Sequence, residues 1–80
     1  MTDNIESAIE ALQEIEEDQF IPKNIRKKIS EIKMSLQGDI ETSIKVSKAL
    51  SELEDISDDM NLQSHTRMQL FNVSSLLERQ

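Results

Sequence analysis

Two clusters of acidic side chains are the residues of this 80-residue chain that come closest to a chemical site. The clusters are Glu14, Glu16, Glu17 and Asp18, and Glu54, Asp55, Asp58 and Asp59. Carboxylates can bind Ca²⁺, but neither cluster has the alternating acids and central glycine of an EF-hand loop. A ferritin-like centre needs two Glu-x-x-His motifs, and the only histidine has Leu62 three residues before it. We therefore expect solvated helix ends, with no metal and no other cofactor.

His65 is the one side chain suited to general acid–base chemistry near neutral pH. Catalysis would also need a nucleophile or a second base beside it, and neighbouring Ser64 and Thr66 provide no recognisable triad spacing. Asn24 holds the corresponding place earlier in the chain. We expect His65 to form a structural hydrogen bond at a corner between helices. The protein is therefore predicted not to be an enzyme, and no small-molecule substrate is inferred.

Arg26 and Arg67 stand at matching positions of two similar segments. They could act as a pair of anion or carboxylate clamps. We favour the alternative, in which each arginine pairs with the acidic end of the preceding helix and fixes the hairpin angle.

A basic run follows the only proline and consists of Lys23, Arg26, Lys27 and Lys28. It could contact nucleic acid, but it has no interleaved aromatic residues and its neighbours are strongly acidic. The formal net charge of −7 also argues against non-specific nucleic-acid binding, which requires an excess of lysine and arginine.

The elements that must position these residues are four amphipathic helices, because apolar residues recur at helical spacing in four segments. Helix 1 is predicted to begin at Asp3, and helix 2 to open at Pro22 and stop at a left-handed Gly38. Asp39 would then cap helix 3 directly, and helix 4 would start near Gln63 or Ser64. The stripes are Ile5, Ala8, Ile9, Leu12 and Ile15; Ile25, Ile29, Ile32 and Leu36; Val46, Ala49, Leu50, Leu53 and Ile56; and Leu70, Val73, Leu76 and Leu77.

The four helices form two similar hairpins, at about 3–37 and about 39–79. The run Ala11–Glu16 matches Ala49–Glu54 at an offset of 38 positions, whereas the second helices match at 41, which predicts a three-residue insertion between them. Short connections favour one domain, an all-α four-helix up-and-down bundle; an open solenoid would need more repeats. The formal charges of residues 1–18, 19–37, 38–60 and 61–80 are −7, +4, −5 and +1, so this bundle would place like-charged helices on diagonals.

Two segments resemble the small archaeal proteins of uncharacterised protein family 0147. They are Asp18-Gln19-Phe20-Ile21-Pro22-Lys23-Asn24-Ile25-Arg26 and Leu62-Gln63-Ser64-His65-Thr66-Arg67, the latter followed by a terminal amphipathic helix. The resemblance implies a four-helix bundle and an archaeal, cytoplasmic protein, and it implies no activity. The family usually has proline where this chain has Gln63, and an aromatic residue at the position of Phe71.

Several apolar residues lie outside the stripes, and they give the strongest functional indication. They are Met34, Ile40, Ile44, Met68 and Phe71. Either they form a surface for self-association or for a partner, or the true buried faces are wider than the stripes. We predict a non-enzymatic protein–protein interaction module, as a homo-oligomer or an accessory subunit. The alternative is a nucleic-acid-associated protein that uses the basic face of helix 2.

The chain is predicted to be cytoplasmic and to have no contact with a membrane. Its first twenty residues are acidic and contain no apolar run long enough for a signal peptide or a membrane span. The absence of cysteine excludes disulfides and thiolate metal sites.

Overall fold

Four α-helices account for most of residues 4–79, the part of the chain that this computed structural model describes. They are α1 (Asn4–Glu16), α2 (Lys23–Gln37), α3 (Thr42–Ser57) and α4 (Ser64–Glu78). The predicted start of helix 1 at Asp3 lies outside the described residues. The predicted start of helix 4 near Ser64 is confirmed.

The helices form a bundle in which consecutive helices run antiparallel. The link between α2 and α3 comprises only residues 38–41. Such a link spans less than about 18 Å, whereas a 15-residue helix is about 22 Å long. Within residues 4–79, each helix packs against two others, in the ring α1–α2–α3–α4, and the main chains of the diagonal pairs do not approach each other closely. The all-α four-helix bundle is therefore confirmed, with the acidic helices α1 and α3 on one diagonal.

The core is formed mainly by inward-facing apolar side chains of the four helices, because inward positions on a helix recur every three or four residues. Ile21 and Leu62, from the links between helices, complete it. Thr66 is the one buried polar residue among those described. The buried apolar residues are Ile5, Ala8, Leu12, Ile15, Ile21, Ile25, Ile29, Ile32, Leu36, Ala49, Leu53, Ile56, Leu62, Leu70, Val73 and Leu77.

The two hairpins share one register, in which equivalent residues lie 41 positions apart (Ala8 and Ala49, for example). From Ala8 onward, each buried residue of the first hairpin has a buried counterpart at this offset. The predicted offset of 38 for the first helices is wrong, because it pairs partly buried Ala11 with buried Ala49. No three-residue insertion is needed. Ala11–Glu16 and Ala49–Glu54 have similar sequences because both consist of common helix-forming residues. Which of their side chains are buried depends on the geometry of the bundle.

The link between the hairpins differs from its prediction. Gly38 is extended (φ −72°, ψ 169°) and not left-handed, and its N–H donates to Ser35 O at 3.2 Å. A Cβ at Gly38 would lie 3.3 Å from that same oxygen, so close approach to the helix end favours glycine here. Asp39 does not cap α3, because the N-cap residue is Glu41.

The N-terminus of α2 is displaced by one residue from its prediction. Pro22 is the N-cap residue and the helix begins at Lys23. The carbonyl oxygen of Pro22 accepts the N–H of Arg26 at 3.0 Å. Gln63, its equivalent in the second hairpin, accepts the N–H of Arg67 at 3.1 Å in the same way. The helix start therefore does not require proline, which explains why Gln63 is compatible with the fold.

Candidate functional site

Both hairpins are closed at their corners by an arginine from the second helix. Corner 1 comprises residues 17–22, and corner 2 comprises residues 58–63. Arg26 donates from Nε to Glu16 O at 3.1 Å and from Nη2 to Asp18 O at 2.7 Å. Arg67 donates to the equivalent oxygens, those of Ser57 and Asp59, both at 3.1 Å. Because a helix ends with carbonyl groups that have no partner within it, each arginine completes the end of the preceding helix.

These contacts change the predicted role of the two arginines in one respect. Each does connect to the end of the preceding helix, but the acceptors are main-chain carbonyl oxygens and not carboxylates. Two of the nitrogens of each guanidinium group are thereby engaged inside the hairpin. Both guanidinium groups are therefore bound to main-chain atoms at the hairpin corners, and that of Arg26 does not contribute freely to the basic run of α2.

An aspartate shapes each corner, a feature that the sequence analysis missed. Asp18 Oδ1 accepts the N–H of Phe20 at 2.9 Å, and Asp59 Oδ1 accepts the N–H of Asn61 at 2.8 Å. Aspartate commonly bonds the main chain two residues ahead in such turns. The signal for both corners was an aspartate eight residues before each arginine, at Asp18 and at Asp59.

His65 lies at the corner end of the bundle, where it connects the two hairpins. Its Nε2 is 3.5 Å from Asp18 Oδ2, a distance at the outer limit of a hydrogen bond. Its side chain is 60% exposed, and Asp18 is its only polar partner among the described residues. This arrangement can carry an ion pair between the hairpins when the imidazole is protonated, and among the described residues no hydroxyl group is hydrogen-bonded to the imidazole.

Asp18 has a pKa lowered from its ordinary value. The main cause is the hydrogen bond from the Phe20 N–H to the carboxylate, and His65 and Arg26 lower it further. Because these interactions favour the charged carboxylate in the folded state, they stabilise the protein above the unfolded pKa of about 3.8. That stabilisation is lost as the pH falls through the lower pKa of the folded state.

We expect Asp18→Asn to make stability less dependent on pH below about pH 4. Asparagine keeps an oxygen that can accept the Phe20 N–H but has no carboxylate to protonate. The measurement is the urea midpoint of both proteins at several pH values. Asp18→Ala, which also removes the acceptor, should be less stable than Asp18→Asn at pH 7. Parallel pH profiles for the parent and Asp18→Asn would contradict this assignment.

The acidic clusters show no arrangement suited to a metal ion. Within residues 4–79, no three acidic or histidine side chains converge to a position that could hold one. Glu16 instead lies 2.8 Å from the ammonium group of Lys33, an ion pair without the directed geometry of a hydrogen bond. Lys33 donates a hydrogen bond to Gln13 Oε1 at 2.6 Å. None of the helices within residues 4–79 combines the length and the apolar character of a membrane span.

All five apolar residues outside the stripes are exposed. Their exposed fractions are 66% for Met34, 52% for Ile40, 55% for Ile44, and 73% for both Met68 and Phe71. The wider buried faces considered above are therefore not observed. Sequence reasoning missed two further exposed apolar side chains, Phe20 (74%) and Met60 (94%), because they lie in the corners and not on a helical stripe.

Only part of this set comes together. Met68 and Phe71 border one shallow surface pocket on α4, together with Gln69, Asn72 and Ser75. The ten residues from Met68 to Leu77 include no charged side chain, although 31% of the residues of the chain are charged. Met34 is exposed on α2, the helix diagonally opposite α4 in the bundle. The uncharged outer face of α4, carrying Met68 and Phe71, is thus the clearest candidate for an interaction surface.

A groove lies beside this face, between α3 and α4. It has a volume of about 460 Å³. Leu50 and Phe71 contribute its apolar side chains, and Glu54, Asp58 and Glu78 its acidic ones. Ser57, Ser74 and Ser75 complete its lining. We refer to it as the α3–α4 groove.

The chain has close relatives in archaea. Residues 1–79 match the model of an uncharacterised protein family, UPF0147. A UPF0147 protein of Archaeoglobus fulgidus is 43% identical over 75 residues, which cover 94% of this chain and 86% of the relative. Those of Methanosarcina mazei and Sulfurisphaera tokodaii are 39% and 37% identical, each over 92% of this chain and over 81% and 84% of the relative, respectively.

A solved structure has the same fold. The crystal structure described as that of "unknown function protein MMP1188" is similar with a TM-score of 0.89 and 35% sequence identity. The similarity covers 95% of this chain and 88% of that one. The match over nearly the whole chain and the identity to the archaeal relatives agree: the protein belongs to the uncharacterised protein family UPF0147.

Proposed function

We propose that this protein is a non-enzymatic module that acts through protein–protein contact, using the outer face of α4. The observation that supports the proposal is the combination of exposed Met68 and Phe71 with ten consecutive residues that lack charge. Interface centres are depleted of charged residues and enriched in aromatic residues and methionine. The flexible thioether of Met68 can adapt to a partner, and the ring of Phe71 provides most of the contact area.

Self-association is the first form of this function to test. In a chain of net charge −7, most surfaces would repel a second copy, whereas the outer face of α4 brings little charge to a contact. The other form is an accessory subunit that binds a different protein through the same face.

We expect Met68→Glu with Phe71→Glu to weaken association by about 30-fold or more, because truncating a central aromatic residue costs about 2 kcal/mol or more. Both residues are exposed, so the circular-dichroism spectrum should remain helical. Light scattering over a concentration series measures the mass, and an affinity pull-down from native lysate tests for another partner. The matched control is Gln19→Glu with Ser51→Glu, which adds two charges at exposed positions outside α2 and α4.

Two results would contradict the proposal. One is a double variant that associates and captures partners as the parent does. The other is a double variant that unfolds, since Phe71 would then contribute to the core. A parent that is monomeric at high micromolar concentration would exclude self-association and leave the accessory-subunit form, which the pull-down decides.

A further inference from the structure

The two hairpins allow a comparison within one molecule, because the α3–α4 groove has a counterpart between α1 and α2. At the offset of 41, Ser74 corresponds to Lys33, Ser57 to Glu16, and Glu54 to Gln13. In the first hairpin, Lys33 reaches from α2 to α1 and contacts both Glu16 and Gln13. In the second hairpin, Ser74 is too short to do the same.

The first hairpin therefore shows that a lysine side chain fits this kind of groove. Lys33 is only 15% exposed, so its methylene groups are covered while its ammonium group meets an acid. The second groove has no such residue and remains open. Its acids Glu54, Asp58 and Glu78 have no ion-pair partner among the described residues. The complementary occupant is a helix that carries lysine side chains.

The chain itself presents such a helix. On the outer face of α2, exposed Lys23, Lys27 and Met34 recur at helical spacing, with exposed Glu31 between Lys27 and Met34. Exposed Lys28 lies on the side of α2 next to α3, where it borders a pocket together with Glu52 and Asp55. None of these lysines has an ion-pair partner within residues 4–79. We refer to Lys23, Lys27, Lys28 and Met34 as the α2 ridge. The three lysines outnumber the one acid among them, Glu31, so the ridge is positively charged and complements the acids of the α3–α4 groove, while Met34 complements its apolar side chains.

Building on the function proposed above, we infer that the partner is a second copy of this chain, whose α2 ridge lies in the α3–α4 groove of the first. The ridge lysines take the place that Lys33 occupies in the first hairpin, and Met34 contacts Leu50 and Phe71. The two halves of this contact are different surfaces of the same molecule. The interface is therefore heterologous, and a pair of copies keeps one free ridge and one free groove, to which further copies can bind.

Two variants separate the halves of the contact. The ridge variant carries Lys23→Gln, Lys27→Gln and Lys28→Gln. The groove variant carries Ser74→Lys, which should pair with Glu54 as Lys33 contacts Gln13, and thereby close the groove against incoming lysines. Ser74→Ala is the matched control, because it leaves the groove open. Circular dichroism checks that each variant is folded.

The experiment is sedimentation of the full chain and its variants, alone and mixed. The parent and Ser74→Ala should form assemblies whose size grows with concentration and falls as salt is raised. The ridge and groove variants alone should each associate about tenfold or more weakly. Mixed in equal amounts, they should form a pair with twice the mass of the chain and nothing larger, because each retains one functional half.

Other results would overturn the inference. A parent protein that stays monomeric would overturn it. If Ser74→Lys then captured fewer proteins from lysate than Ser74→Ala does, the groove would instead be the binding site for a basic helix of another protein. If the parent associates and the ridge and groove variants do so equally well, the inference fails. Should Met68→Glu with Phe71→Glu still abolish that association, the proposed function stands without it. A mixture that remains monomeric while the parent associates would also exclude the head-to-tail contact.

Discussion

Replacing Ile29 or Leu70 with alanine is expected to lower the free energy of unfolding by about 2–5 kcal/mol. Both side chains are fully buried and occupy equivalent positions in α2 and α4. Each substitution removes apolar contacts and leaves a cavity that the surrounding helices fill only in part. Domains have a total stability of about 5–15 kcal/mol, so either substitution removes a large fraction of it. Urea denaturation followed by circular dichroism measures the change.

Met34→Ala is the matched control for these core substitutions. Met34 is also an apolar residue of α2, but it is 66% exposed, and its replacement should change stability by no more than about 0.5 kcal/mol. Losses below about 1 kcal/mol at both Ile29 and Leu70 would show that the core is wrongly assigned.

Arg26→Ala is expected to cost about 2–3 kcal/mol. The substitution removes two hydrogen bonds from a charged donor and leaves the carbonyl oxygens of Glu16 and Asp18 without that partner. Arg67→Ala removes the equivalent bonds, but at a more exposed site, where water can replace them; its cost should be nearer about 1 kcal/mol. Urea midpoints of the two variants provide the comparison.

The Arg26→Lys variant tests whether the corner needs the forked geometry of the guanidinium group or only its positive charge. It keeps the positive charge but cannot present two donors in a fixed fork, so Arg26→Lys should recover less than half of the loss. Full recovery with lysine would mean that the corner depends on charge alone. Equal losses for Arg26→Ala and Arg67→Ala would mean that burial does not determine the strength of these bonds.

Helix positions and the core were predictable from the sequence, because burial on a helix follows a period that apolar residues reproduce directly. Ile25, Ile29, Ile32 and Leu36 form such a stripe, and all are buried. The register between the hairpins was not predictable from matching residue types. Ala11 and Ala49 are both alanine, but Ala11 is partly buried and Ala49 is fully buried. The end of α2 was also misjudged, because glycine serves both left-handed turns and close approaches, and Gly38 belongs to the second kind.

The candidate surface was predictable in part. Met68 and Phe71 stand outside the helical stripe of α4, and a side chain that cannot face the core must face solvent. The α3–α4 groove could not be foreseen, because its width depends on how far apart two helices lie. The contact of Lys33 with Gln13 joins residues twenty positions apart in sequence, and only the bundle brings them together. The acceptors of Arg26 could not be predicted either. They are main-chain carbonyl oxygens, which every residue has, so no residue type identifies them.

The common register of the two hairpins has a consequence for how the surface could become specialised. A bundle assembled from two identical hairpin chains would carry two identical grooves, and any substitution would alter both at once. Here one polypeptide contains both halves, so Lys33 can cover the first groove while Ser74 leaves the second uncovered. Joining the two hairpins in one chain therefore makes the molecule polar, with a covered groove on one side and an open groove on the other. A symmetric pair of identical hairpins does not have this polarity.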